Sequence, residues 1–347
     1  MGLRIALTSV YSWPGVHRGA ERYVHELAHA LQSAGHEVRV LSTGRPAHDR
    51  VLGVPVRRFP TRGDGRYGAR GTEGVFGGQA LARLTTARLD VWHATSTGDG
   101  AAAATAGRLR PRLRTVFTDH GFPVRASRER RGDAGLHQRV VDGIGSYVCV
   151  SEAAGAWLER DFGRTADVVP PGVDTDSFRP GGAKAERPTV LYSGALDDGR
   201  KGVRLLVEAV ALVPGALLQL AGPGTPDLSG LPTGHVELCG LVPREELPDL
   251  YRRAWVTALP STAEAFGMAL TESLACGTPG VARRDGGGPA EILRDGTGVL
   301  CDGNPESLAE ALQKAMATAD PAACRARAED FDWQRRVVPD LERLYAV

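Results

Sequence analysis

Short apolar runs alternate with helix-period segments along the first half of this chain, and the alternation starts again beyond a Pro-Pro-Gly crossing. Arg4–Thr8 predicts a strand, Ala20–Ala34 a helix and Glu37–Ser42 the next strand. Further strands are expected at Val91–Ala94, Thr115–His120 and Tyr147–Ser151. In the first helix, Tyr23, Val24, Leu27, Ala28 and Leu31 fall on one face. Residues Val168–Pro180, VVPPGVDTDSFRP, read as an interdomain crossing. The second series predicts strands at Thr189–Ser193, Leu217–Ala221, Val236–Leu238 and Val256–Leu259, with helices at Val203–Leu212 and Glu245–Ala254. Strands that alternate with helices pair in parallel and bury both sheet faces. The expected fold is therefore α/β, with two doubly wound, Rossmann-like domains. Ligands of such sheets gather where the strands' carboxyl ends release their loops. That directs attention to Ser9–Gly19 and Asp119–Arg131. Pro60–Gly78, rich in Gly and Arg, reads as a mobile surface loop.

A length of 347 residues suits two cores better than one. No apolar run approaches the ~20 residues of a membrane helix, and the N-terminus reads as a strand and not a signal peptide. Five widely spaced cysteines without a CxxC pair point to buried thiols in a reducing cytoplasm. The net charge of +1 conceals an asymmetry. Residues 1–174 hold 24 Arg, no Lys and 17 acidic residues, whereas residues 175–347 hold 18 basic and 24 acidic ones. A bipolar chain fits two domains with different partners. Without aromatic-basic interleaving, no nucleic acid partner is expected. The arginines at 108, 110, 112, 114, 125, 128, 130 and 131 leave three roles open: a solvated face, peripheral contact with the inner face of a membrane, or a site for an anionic acceptor.

The most informative stretch is LPSTAEAFGMALTE, residues 259–272. It predicts a buried strand end, a small-residue loop and a helix opening near Phe266. Glu264 and Glu272 stand up to ~12 Å apart along such a helix, which suits a long polar ligand held at both ends. Between them the free N–H groups of Phe266, Gly267, Met268 and Ala269 form a cradle for an anion. An amphipathic helix carrying one solvated Glu would explain the stretch as well. Its spelling, however, resembles the Glu-x7-Glu motif of retaining glycosyltransferases of family 4, and the A-C-G-T-P that follows extends the likeness. The resemblance implies that Glu264 meets the donor sugar's hydroxyls and Glu272 the ribose.

Other segments carry the same likeness. Gly19-Ala20-Glu21 resembles the family's loop beside the donor phosphates and the acceptor, with Arg18 in place of the usual first Gly. Thr118-Asp119-His120-Gly121 resembles its strand-end histidine near the reacting sugar, and Arg125 is a candidate acceptor contact. Ser193-Gly194-Ala195 with Arg200-Lys201-Gly202 resembles the phosphate-binding segment, but Ala195 stands where an Arg is usual. Losing one charge-assisted phosphate contact costs ~1.5–3 kcal/mol; Lys201 remains, and Arg200 is positioned in the sequence to compensate. Gly222-Pro223-Gly224 and the loop containing Val242 resemble nucleotide-base loops, although turn chemistry explains both. Asp174-Thr-Asp176 reads as linker chemistry, and no metal site is expected.

The resemblance implies the glycosyltransferase B architecture, two domains facing a cleft. Residues 1–170 would bind the acceptor, residues 171–331 the nucleotide-sugar donor, and a final helix over about 332–347 would pack back on the first domain. The expected reaction moves a sugar from a nucleotide diphosphate donor to a hydroxyl with retention, without metal or other cofactor. The acceptor is a small molecule, natural product, glycan or lipid, with an anionic or phosphorylated one in view. His120, Lys201 and Glu264 are the expected catalytic residues. Alternatives are a catalytically impaired nucleotide-sugar-binding subunit, motivated by Ala195, and a sugar-nucleotide epimerase of similar architecture; a phosphorylase would need a pyridoxal lysine from among Lys184, Lys201 and Lys314. Oligomeric state is not legible.

Overall fold

The computed structural model describes residues 2–60, 71–294 and 296–346. The chain divides into two compact units, residues 1–170 with 337–347, and residues 171–336.

The first unit opens with β1 (Arg4–Thr8), α1 (Gly19–Ser33) and β2 (Glu37–Thr43). A short hairpin follows, β3 (His48–Val51) and β4 (Val54–Phe59), then α2 (Thr72–Leu84), β5 (Val91–Ala94) and α3 (Thr97–Leu109). β6 (Arg114–Asp119), α4 (Arg125–Arg131), α5 (Ala134–Gly143), β7 (Ser146–Cys149), α6 (Glu152–Phe162) and β8 (Asp167–Val168) complete the series. The strands form one eight-stranded sheet in the order β3-β4-β2-β1-β5-β6-β7-β8. Every pairing is parallel except β3 with β4. The expected face of α1 is the buried one, with Tyr23, Val24, Leu27, Ala28 and Leu31 all within 1% of full burial. On the opposite sheet face Trp92, Leu41 and Phe117 pack against Phe76, Ala80 and the alanines of α3. Those alanines, with Gly98 and Gly100, let α3 lie close to its neighbours: a Cβ on Gly98 would meet the Glu73 carbonyl oxygen at 2.0 Å.

The expectation of a loop over Pro60–Gly78 needs correction at its end. Residues 61–70 lie outside the described residues, but 72–78 are the first turns of α2, with Phe76 fully buried. The glycines at 74, 77 and 78 masked a helix whose burial outweighs their poor propensity. The β3–β4 hairpin also had no place in the alternating pattern.

The second unit contains β9 (Thr189–Ser193), α7 (Val203–Ala211), β10 (Leu217–Ala221), β11 (Val236–Gly240), α8 (Leu247–Arg253) and β12 (Val256–Leu259). It continues through α9 (Met268–Ala275), β13 (Gly280–Arg283), α10 (Pro289–Ile292), β14 (Gly298–Cys301), α11 (Pro305–Thr318) and α12 (Pro321–Glu329). Its six parallel strands run in the order β11-β10-β9-β12-β13-β14. The sheet order therefore reverses between β9 and β12, the place where loops diverge and open a crevice. Asp174, expected to be linker chemistry, accepts from the backbone N–H of Asp176 and Ser177 and from the Ser177 hydroxyl. A wide turn over Trp333–Val337 leads into α13 (Val338–Ala346). This helix joins the first unit, where Glu342 meets the His36 ring at 2.8 Å and Tyr345 the His93 ring at 2.7 Å.

Candidate functional site

The crevice of the second unit is framed by the loops leaving β9 and β12. Backbone bonds tie the two loops together: Thr262 N–H donates to the Arg200 carbonyl at 2.8 Å. Gly202, at φ +71°, leaves room for the Pro260 carbonyl, which a Cβ there would meet at 2.5 Å. The same requirement appears at Gly222, φ +144°, whose added Cβ would lie 1.9 Å from the Gly194 carbonyl. Gly222 N–H in turn donates to the Gly240 carbonyl at 2.8 Å, so the loops after β9, β10 and β11 are stacked backbone on backbone. Val242 is half-buried just beyond them.

In this frame Lys201 Nζ is ion-paired with Glu264 Oε2, the side chains being 25% and 18% exposed. The carboxylate stands in a loop whose backbone is doubly pinned: Glu264 N–H donates to Gly286 O, and Gly288 N–H to Glu264 O. Ala263, the residue before it, sits at φ +53°, a conformation that costs a non-glycine residue ~1 kcal/mol or more and persists only when its surroundings impose it. Arg200 is directed elsewhere. Its guanidinium makes a two-point contact with Asp198 and is 65% exposed.

α9 begins at Met268, two residues later than the sequence predicts, with Gly267 in the left-handed region before it. Phe266 is buried edge-on against Phe331, at 5.5 Å between ring centres. Leu270 N–H turns back to Gly267 O, leaving Met268 and Ala269, both half-buried, to present the opening N–H groups. Glu272, one turn further, is only 3% exposed and accepts from Tyr251 Oη at 2.8 Å. Two contributors escaped the sequence reading. Tyr251 holds Glu272, and Ser261 Oγ lies buried in the Glu264 loop without a hydrogen-bond partner among the described residues. A lone Tyr in a helix and a Ser in a loop give no periodic signal.

In the first unit His120 follows the carboxyl end of β6, half-buried, with the Tyr23 ring edge-on at 4.4 Å. Its Nε2 is buried without a hydrogen-bond partner among the described residues, and burial pushes its pKa down to about 4. The turn that presents it is anchored by Asp119, which accepts from Gly121 N–H at 3.0 Å, Arg128 at 2.6 Å and Tyr147 Oη at 2.9 Å. Burial opposes ionisation of Asp119, but Arg128 and His137 outweigh it and hold its carboxyl well below the usual range. Arg128 also binds Thr97 Oγ1 at 2.7 Å and Asp133 at 3.2 Å. This network was not legible, because its members are spread over α3, β6, α4, α5 and β7. Arg18 and Gly19 are exposed at the start of α1, beside a buried Glu21. Arg125 turns outward to the Asp161 carbonyl, 4.5 Å over the Phe162 ring. The arginine series is mixed in role, since Arg110 binds carbonyls of Leu84 and Thr85 and Arg128 is buried.

Among the described residues, no three His, Cys, Asp or Glu converge in a way that could hold a metal ion. No helix among them is long and apolar enough to cross a membrane. Lys184 Nζ binds Ala254 O and Thr278 Oγ1, each at 2.7 Å.

Comparison with known proteins places these features in a family. Residues 173–330 match the model of glycosyl transferases group 1, and residues 17–177 that of Glycosyltransferase Family 4. The chain is 31% identical to the D-inositol 3-phosphate glycosyltransferase of Xylanimonas cellulosilytica, over 98% of this chain and 96% of that protein. It is 30% identical to the enzyme of the same name from Arthrobacter sp., over 99% and 95%. Among solved structures, sucrose-phosphate synthase from Thermosynechococcus elongatus superposes with a TM-score of 0.82 at 24% identity, covering 99% of this chain and 98% of that one. Anabaena HepE, solved with UDP and glucose, superposes at 0.79 with 20% identity, covering 99% and 100%. These two likenesses establish the fold, two Rossmann-like sheets of glycosyltransferase B type. The chain belongs to glycosyltransferase family 4 and is a glycosyltransferase.

Proposed function

We propose that the chain transfers a sugar, with retention of anomeric configuration, from a nucleotide diphosphate sugar to a hydroxyl of a phosphorylated polyol. The observation that carries this reading is the Lys201–Glu264 pair, held where the sheet order reverses, beside the opening N–H groups of α9. Lys201 and those N–H groups neutralise charge on the departing diphosphate. Glu264 accepts from hydroxyls of the donor sugar. Glu272 takes the ribose hydroxyls, with Tyr251 fixing its carboxylate. Gly222 and Val242 border the base. The bond from the anomeric carbon to the diphosphate oxygen breaks, the acceptor oxygen bonds that carbon on the same face, and the hydroxyl proton passes to the departing diphosphate. This reading uses no metal.

The acceptor class rests on the relatives named for D-inositol 3-phosphate and on the arginine-rich first unit. His120, with Arg18 at the start of α1, is assigned to the acceptor side, and Gly19 to the donor. The test is a thermal-shift panel of UDP, GDP, ADP and dTDP with wild type and Glu272→Ala. A ligand at a hundred times its Kd adds ~2.7 kcal/mol of stability. One nucleotide stabilising wild type and much less the variant supports the donor assignment; no shift with any nucleotide refutes it.

A further inference from the structure

Outside these loops, the first unit carries a second concavity of about 300 Å³ on its β3–β4–β2 edge. Strand register explains its chemistry. Arg57 pairs with Leu41 on one side and His48 on the other, and Arg50 pairs with Pro55. Side chains alternate between faces along a strand, so Arg39 lies on the face of Leu41, and Arg39, His48, Arg50 and Arg57 all project from one sheet face. Arg83 and Leu84, at the end of α2, form the wall.

Four guanidinium groups thus surround a pocket with an apolar floor. Among the described residues, no carboxylate lies within ion-pair distance of Arg39, Arg50, Arg57 or Arg83. Among the described residues, the guanidinium groups of Arg39 and Arg50 donate to the backbone carbonyls of Arg88 and Gly53. The one acidic residue on the rim, Asp49, has its carboxylate 2.7 Å from Arg58, whose neighbours place it on the opposite face. A concave surface of one sign focuses its field and concentrates counter-ions. Planar guanidinium forks match the paired oxygens of a phosphate, while Pro55, exposed beside the buried Leu41 and Leu84, offers an apolar surface for a small organic body. The pocket opens on a sheet face and not at the strands' carboxyl ends, so it is separate from the loops assigned to sugar transfer.

We infer that this pocket binds a phosphate monoester, an effector or anchoring group distinct from both substrates of the transfer reaction. The probe is inorganic phosphate, titrated calorimetrically at constant ionic strength into the full chain. Lys201→Met serves as the background that silences the donor diphosphate contact. Phosphate should still bind Lys201→Met, where the pocket keeps its guanidinium groups, and the Arg57 and Arg83 substitutions are compared in that background. Arg57→Gln/Arg83→Gln should bind about tenfold or more weakly, the consequence of losing charge-assisted bonds. Arg57→Lys/Arg83→Lys, which keeps the charge but not the fork, should fall between them, and circular dichroism establishes that each variant is folded. Sedimentation with four-to-one phosphatidylcholine–phosphatidic acid vesicles distinguishes the sources. Vesicle binding lost in the Gln variant identifies a lipid headgroup, and phosphate binding without vesicle binding a soluble ester. Equal phosphate affinity in Lys201→Met with and without the Gln substitutions, or loss of binding in Lys201→Met, overturns the inference, as does absence of any binding.

Discussion

Lys201 and Glu264 neutralise one another, and this has a consequence opposite to the usual one for an active-site substitution. A donor diphosphate must draw Lys201 away from Glu264 or share it, and it must approach a carboxylate of its own sign. Glu264→Gln removes both obstacles. Two charges ~4 Å apart interact by ~4 kcal/mol at an effective dielectric of 20, but exposed pairs are worth only ~0.2–1 kcal/mol in practice. For side chains about one-fifth exposed, ~1 kcal/mol is the reasonable figure, a factor of about five. Glu264→Gln is therefore expected to bind the free nucleoside diphosphate about fivefold more tightly, while its turnover with the nucleotide sugar falls about tenfold to a hundredfold for want of the sugar contact. Lys201→Met should weaken the same nucleoside diphosphate by about tenfold to a hundredfold. Calorimetric titration of wild type and both variants measures this directly. If Glu264→Gln weakened the nucleoside diphosphate as much as Lys201→Met, the competition argument would fail, and Glu264 would instead be holding the loop in shape.

Arg128→Met should destabilise the protein by about 3–5 kcal/mol, because it strands the buried Asp119 carboxylate; adding Asp119→Asn should restore most of the loss in thermal melts, and an additive pair would contradict the network. Gly202→Ala forces a Cβ against the Pro260 carbonyl at positive φ, so a loss of about 1–3 kcal/mol and weaker nucleoside diphosphate binding are expected, whereas a silent substitution would refute the close approach. Burial raises the Asp99 carboxyl to about 8, above its unfolded value near 4. Its stabilising contribution is thus complete below pH 4 and is lost as pH rises through 8. Asp99→Asn should gain on wild type by ~1.4 kcal/mol per pH unit across that range, and a gap independent of pH would show Asp99 to be ordinary. His120, depressed to about 4, should give no inflection near pH 6.5 in the rate profile; an inflection there that disappears in His120→Ala would show it to titrate normally.

Legibility followed sequence distance. The β–α alternation declares itself within windows of a dozen residues, so β1, α1, β9, α7 and β12 stand close to where the pattern puts them. The loop carrying Glu264 was readable for the same reason, since acceptor, glycine and helix start lie within nine residues. What escaped depends on contacts distant in sequence. Arg128 and Asp119 are nine apart, yet their meaning comes from Tyr147, His137 and Thr97. Tyr251 acquires a role only because α8 sets it beside Glu272. The helix at Thr72–Leu84 was hidden by its own glycines, of which close packing against α3 requires Gly77: a Cβ there would meet the Gly98 carbonyl at 2.4 Å.

Net charge is the least reliable guide of all. The second half of the chain carries more acid than base, yet the proposed reaction needs a positive field there for the leaving diphosphate. The field must be local, and the loop after β9 shows how. Of its two adjacent basic residues, Arg200 is folded back on Asp198 while Lys201 turns to Glu264. On the proposed reading, with Ala195 adding no charge, Lys201 and the opening of α9 would supply the stabilisation, with Glu264 positioning that lysine. The arginine-rich first half contributes the reverse at its own strand end. There a deeply buried ion pair, Asp119 with Arg128, positions a histidine that burial keeps neutral. On the proposed reading, His120 would then meet its ligand as a hydrogen-bonding group and not as a cation.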